Sequence, residues 1–233
     1  MGIFSALTIE ELQAIGLSVR VAIICSAVVL PLAIIAGHLF ARKEFIGKTL
    51  IESIVNLPLV LPPVSTGFIL LIILGSQRPI GKFLNSILNI DIAFSFYAAV
   101  IAAIVVSFPL ALRSIKIAME LVDPKLEEAA FVHGASKTAA FFKVTLPLAF
   151  PGLISGFVIS FARSMGEFGA TIAFAGNIPG ETQTIPLAIF SYMQVPGMEM
   201  VAIRLALFSI IISTLSMVAA ELFNKRMKKL RNR

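Results

Sequence analysis

The sequence has 233 residues, of which 58% are hydrophobic and 14% charged, with a formal net charge of +6. That apolar share exceeds the roughly half that soluble domains carry, which excludes an ordinary water-soluble globular domain. Apolar runs of about twenty residues recur without strict alternation, so the expectation is an all-α, polytopic membrane protein with about five transmembrane helices, not a membrane barrel.

The first span is read at about residues 13–40. Glu10 and Glu11 precede it where a secretory signal would be basic, so this run is expected to be retained. Cys25, the single cysteine, lies within it and excludes an internal disulfide. Arg20, like Arg204 near the start of the last span, reads as a side chain snorkelling toward a membrane surface. The basic loop "ARKEFIGK" follows. Its "FIGKT" stretch, Phe45 to Thr49, looks like the end of a phosphate-binding loop. That loop needs glycine where Arg42 stands, however, and should follow a strand. The match fails, and the chain reads as non-enzymatic.

A second span is read at about residues 50–75, within "NLPLVLPPVSTGFILLIILG". Pro58, Pro62 and Pro63 should prevent an unbroken helix, freeing carbonyls that need a neighbour or a water-lined cavity. Ser65, Thr66 and Gly67 after the break offer hydroxyl and backbone donors, and broken helices are where transporters place pathways. A kinked packing helix is the plainer alternative. A loop from Ser76 to Asp91 leads to the third span, at about 92–117.

Between the third and fourth spans lies a polar insert at about residues 118–145. In "VDPKLEEAAFVHG", Asp123 is placed as an N-cap, Pro124 at the first helical position, and Glu127 and Glu128 near the positive end of the dipole. Ala129 and Ala130 keep the next turn thin, and Gly134 is placed to end the helix in a left-handed conformation. Ser136 then caps a second helix that runs into the fourth span. His133 reads as a contact or as an ordinary surface histidine.

The fourth span is read at about 146–165 and the fifth at about 201–223. Arg163 and Glu167, four residues apart, share a helical face and can pair near the membrane edge. A structural ion pair and direct recognition of an anion by Arg163 are both open. The stretch from Gly166 to Met200 is apolar enough to dip into the membrane, with a short helix at about 185–194. Lys and Arg gather in the first loop, in the insert and in the tail "NKRMKKLRNR", which places those parts in the cytoplasm and the N-terminus outside. The basic charge is then topological, meeting anionic lipid and not nucleic acid. Two histidines, His38 and His133, and no carboxylate cluster leave no metal site of ordinary spacing, nor a nucleophile with its base.

Glu128-Ala129-Ala130, then Gly134 after three residues, then Val144, Leu146 and Pro147, resemble the motif of the permease subunits of bacterial ABC importers. "NLPLVLPPVSTGFILLIILG", "RPIG" and "FARSMGEFGATIAFAGNIPGETQTIPLAIF" are similar to the molybdate, tungstate and sulfate group, nearest its molybdate permeases. The resemblance implies a single permease domain over residues 1–233, with the type I importer fold, in the bacterial inner membrane. It makes the insert a coupling helix docking on an ATPase through Glu128, Ala129, Ala130, His133, Gly134, Leu146 and Pro147. Pro62, Pro63, Ser65, Thr66, Arg163 and Glu167 become pathway or gate candidates. The partners implied are a second copy of the chain, two ATPase subunits carrying ATP and Mg, and an external oxyanion-binding protein. Sulfate, tungstate or another solute stays open as cargo.

Overall fold

The computed structural model describes residues 7–231, and these are helices and their connections, with no strand among the described residues. The long apolar helices are α1 (Ile9–Arg42), α5 (Phe96–Glu120), α8 (Leu146–Met165) and α11 (Glu199–Arg231). Each is long and apolar enough to cross a membrane, α8 in continuity with the segment from Lys137. The fifth apolar segment is divided into α2 (Lys48–Val60) and α3 (Pro63–Leu74), which turn through 116° at the break.

Proline chemistry explains where that break falls. Leu61, held extended before Pro62 at ψ 144°, ends α2, and Pro63 starts α3 at a position where its missing N–H costs nothing. Pro58 departs from expectation because it sits within α2 and does not break it. A lone proline in a helix is accommodated, as Pro31, Pro109 and Pro151 also are in α1, α5 and α8. Adjacent prolines remove two N–H donors and force two extended residues, and the helix stops.

α1, α5 and α8 form the core, with Cys25, Val29, Ala33, Ala102, Ala103, Ile115 and Leu153 buried between them. Lipid supplies no hydrophobic drive between helices, so close approach must come from small side chains. Gly152-Leu-Ile-Ser-Gly156 supplies it on α8: a Cβ on Gly152 would collide with the Ala118 side chain, and one on Gly156 would lie 2.9 Å from Ile115. Cys25 is buried here, its Sγ 3.1 Å from the Ser107 hydroxyl.

Short helices complete the chain: α4 (Pro79–Leu88), α6 (Pro124–Val132), α7 (Lys137–Ala140), α9 (Gly169–Phe174) and α10 (Ile185–Met193), with a π turn at Phe141–Thr145 joining α7 to α8. α10 agrees with the short helix expected near residue 185. Its first N–H, on Ile185, donates to the buried Ser18 hydroxyl of α1 at 2.7 Å. α4 occupies what reads in sequence as plain loop, with Pro79 in its first turn and Asn89 left-handed after its last residue as the local signals.

Arg204 does not snorkel. Its side chain is 4% exposed, and its guanidinium donates through Nε and an Nη to the two oxygens of Glu11, at 2.8 and 2.6 Å, with Glu11 fully buried. This forked pair joins the start of α1 to the start of α11, where an unpaired charge would be costly. Arg20, by contrast, is exposed. Beside the fork, the Tyr192 hydroxyl of α10 donates to Glu10 at 2.9 Å; burial, then that bond, pushes its pKa up to about 12. Residues 232 and 233 of the basic tail lie outside the described residues.

Candidate functional site

The insert folds through local capping. The Asp123 carboxylate accepts from the Lys125 N–H at 2.9 Å, and Pro124 opens α6. Gly134 stands at φ +81°, letting the Gly134 and Ala135 N–H groups donate back to Phe131 and Ala130, both at 2.9 Å. A Cβ on Gly134 would meet nothing within 4 Å, so its requirement is backbone conformation, not room. The Ser136 hydroxyl accepts from the Ala139 N–H at 3.2 Å and starts α7.

α6 buries none of its residues. Glu128, Ala129, His133 and Gly134 are exposed and Ala130 is half-buried. Leu126, Phe131 and Val132 are exposed as well, Val132 at 86%. Leu146 is half-buried and Pro147 exposed where α8 begins. The expected coupling residues are thus divided between a bare helix and the foot of a span.

Polar contacts hold this bare helix in place. Arg42, the last residue of α1, reaches the Glu127 carboxylate through Nε at 3.1 Å and Nη2 at 2.9 Å, and Nη2 also donates to the Val122 carbonyl at 2.8 Å. The same Glu127 oxygen accepts from the Thr145 hydroxyl, in the π turn, at 2.5 Å. Phe141 of that turn meets the His38 ring edge-on, centroids 4.6 Å apart. Neither Arg42 nor Thr145 stands out in sequence, because each is recognised only once the partner is placed. In the first loop, Lys48 of the failed phosphate-loop match pairs with Glu44 at 2.6 Å.

At the far end of α8, Arg163 Nη1 lies 2.7 Å from Glu167 Oε2, the pairing expected from their spacing. Glu167 is 2% exposed and Arg163 30%. The second Glu167 oxygen accepts from the Ala170 N–H at 2.8 Å, so one carboxylate ties α8 to the start of α9. α9 in turn crosses the first turn of α3 backbone to backbone. A Cβ on Gly67 would collide with the Ala170 carbonyl, and one on Gly169 would lie 2.7 Å from Pro63 and 3.0 Å from the Val64 nitrogen.

The break in the second apolar segment and the Arg163–Glu167 pair, about a hundred residues apart in sequence, are therefore one structural unit. Within it the Thr66 side chain is buried and its hydroxyl has no hydrogen-bond partner among the described residues. Ser65 is half-buried, while Pro62 and Pro63 are exposed. In sequence Gly166 and Gly169 read as places where the backbone can bend or pack closely, and the structure shows what Gly169 packs on, the first turn of α3; that Gly67 faces Ala170 in return is visible only once the two helices are placed. α8 joins this unit to the insert: its 20 residues span about 30 Å at the helical rise.

Known proteins resemble this chain along most of its length. The sequence profile of the family "Binding-protein-dependent transport system inner membrane component" matches residues 29–229. "Molybdenum transport system permease protein ModB" of Haemophilus influenzae is 50% identical over 94% of this chain and 96% of its own length. The protein of the same name from Escherichia coli K12 is 48% identical over 92% and 94%. Among solved structures, a bacterial ABC transporter for import of the acidic polysaccharide alginate superposes with TM-score 0.74 at 16% identity, over 94% of this chain and 80% of its own. With the family profile matching residues 29–229 and apolar helices to fit, the chain belongs to the inner-membrane components of binding-protein-dependent transport systems.

Proposed function

We propose that this chain is the membrane-spanning, non-catalytic subunit of an ATP-driven oxyanion importer, with molybdate as cargo. The observation that carries the reading is the 50% and 48% identity, over more than nine-tenths of the chain, to permeases named for molybdenum transport. A capped helix that buries nothing supports the docking half of it.

In this reading the N-terminus lies outside, and the insert and C-terminus lie in the cytoplasm, where Lys and Arg collect. Two copies of the chain enclose the pathway, two ATPases carrying ATP and Mg bind below, and an oxyanion-binding protein docks above. Each ATPase grips α6 through Glu128, Ala129, Ala130, His133 and Gly134; the small residues allow close approach and Glu128 offers a charged acceptor. ATP-driven closure moves α6. The movement enters α8 at Leu146 and Pro147 and reaches Arg163 and Glu167 at its other end.

There it meets the α3 break. The Thr66 hydroxyl and the Val64 and Ser65 N–H groups in the first turn of α3 are donors suited to a passing oxyanion, and Arg163, part-exposed and bonded to Glu167 through one Nη, has further guanidinium N–H groups to offer the same ion. Each partner must bind one state of the gate better than the other for the cycle to turn.

The test is uptake of labelled molybdate at trace concentration in cells lacking the chain and in cells given it back. Restored uptake that excess sulfate does not suppress is the expected result. If uptake is not restored while the ATPase still copurifies, the cargo is another solute and the molybdate assignment fails.

A further inference from the structure

Two neighbouring glutamates of the insert have opposite surroundings. Glu128 is exposed, whereas Glu127 is 17% exposed and gathers Arg42 and Thr145 on one oxygen. Successive side chains on a helix are rotated by about 100°, so one faces outward when the other faces the spans. We propose that Glu127 is a positioning residue that latches the insert both to the end of α1 and to the foot of α8, so that displacement of α6 is delivered to the spans. The proposal rests on the reading of α6 as the ATPase-docking helix.

α6 has no buried residue, so apolar packing cannot fix its orientation, and a helix free to swivel would absorb a push. Its backbone joins α8 through the turn at Gly134, the short α7 and the π turn at Phe141–Thr145. That route contains a left-handed glycine and a π segment, the kind of irregular geometry at which helices bend. The Glu127 carboxylate bypasses it. One oxygen receives the Thr145 hydroxyl beyond the π turn and the guanidinium of Arg42 from a different helix.

Arg42 is itself fixed by more than the carboxylate. It donates to the Val122 carbonyl just before α6 and sits at the negative end of the α1 dipole. The guanidinium fork therefore spans the start of the insert and its first turn, which an ammonium cannot reproduce with one point charge. Bonds between ionised partners of this kind are the stronger class, and here they are shielded: the Arg42 side chain is 14% exposed and Thr145 is fully buried.

The experiment uses the full complex, with partner ATPase and binding protein, in liposomes, and compares Glu127→Gln, Arg42→Gln, the double variant and Thr145→Val. ATP hydrolysed per molybdate ion imported is the readout, beside the amount of ATPase that copurifies. Glu127→Gln and Arg42→Gln are expected to retain the ATPase but to waste it, with hydrolysis per ion rising roughly tenfold, and the double variant no worse than either single. Thr145→Val removes one donor at constant shape, and an increase of roughly threefold is expected. Should Glu127→Gln fail to accumulate in membranes, Thr145→Val carries the test alone.

An unchanged ratio in these variants overturns the latch, as does a double variant whose losses add. Loss of the ATPase from Glu127→Gln alone would make Glu127 a docking contact and also overturn it. A wild-type chain that copurifies no ATPase would instead remove the docking reading beneath it, so the two failures are distinguishable.

Discussion

The insert and the α3–α9 crossing are both irregular stretches built on glycine, yet they use it for opposite ends. At Gly134 the residue supplies a left-handed backbone with empty space around it. At Gly67 and Gly169 the backbone is ordinary and the space is already taken by a neighbour. One region is shaped so that something else can approach it; the other is shaped because something already has. A surface for a partner and a seal within the chain can thus be told apart by what an added Cβ would meet.

The same substitution at both sites puts this contrast at risk. Gly67→Val should have the largest effect, because its side chain must displace the Ala170 backbone; a penalty of about 3 kcal/mol or more is expected, with little chain recovered from membranes. Recovery at wild-type level would mean the crossing is not as tight as described. Glu167→Gln comes next. Removing one partner of a mostly buried pair should cost about 2 kcal/mol, seen as earlier thermal unfolding in detergent, while Glu128→Gln, on the exposed face of α6, should leave that transition where it is.

Gly134→Val should be milder in stability, about 1–2 kcal/mol for a branched residue at positive φ, and the chain should still insert. Uptake should nevertheless be lost, since the turn that ends α6 is disturbed; normal uptake would sink the docking assignment. Ser136→Ala removes a single cap and should cost about 1 kcal/mol, detectable as faster hydrogen exchange at the Ala139 amide. The smallest effect is expected for Thr66→Val. Its hydroxyl has no partner to lose, so stability should change by less than about 0.5 kcal/mol, and a drop in molybdate uptake alone would mark it as a pathway donor. Unchanged uptake would leave it a packing residue.

What could be read in sequence divides along the same line. Asp123, Pro124, Gly134 and Ser136 act on residues within a few positions of themselves, so the capping of the insert is legible in the sequence alone. Arg163 and Glu167 were legible for the same reason, one turn apart on a helix. Composition placed the apolar segments. Arg204 was misread because its partner, Glu11, is 193 residues away, and a lone arginine at a span end gives no sign of being forked onto a buried carboxylate. Arg42 and Glu127, 85 residues apart, were hidden in the same way. Three prolines announced a break in the second segment, but only the adjacent Pro62 and Pro63 make it, and nothing local encodes a turn of 116°.

The Gly152 and Gly156 contact of α8 with α5 has a kinematic consequence. Two helices whose surfaces touch at glycine have no side-chain layer between them to deform, so sliding one past the other would drive Ala118 and Ile115 into the α8 backbone. They must travel as a single stave. Whatever opening and closing the chain performs is then assigned to its other seams, and the stave becomes the lever arm about which those seams are worked.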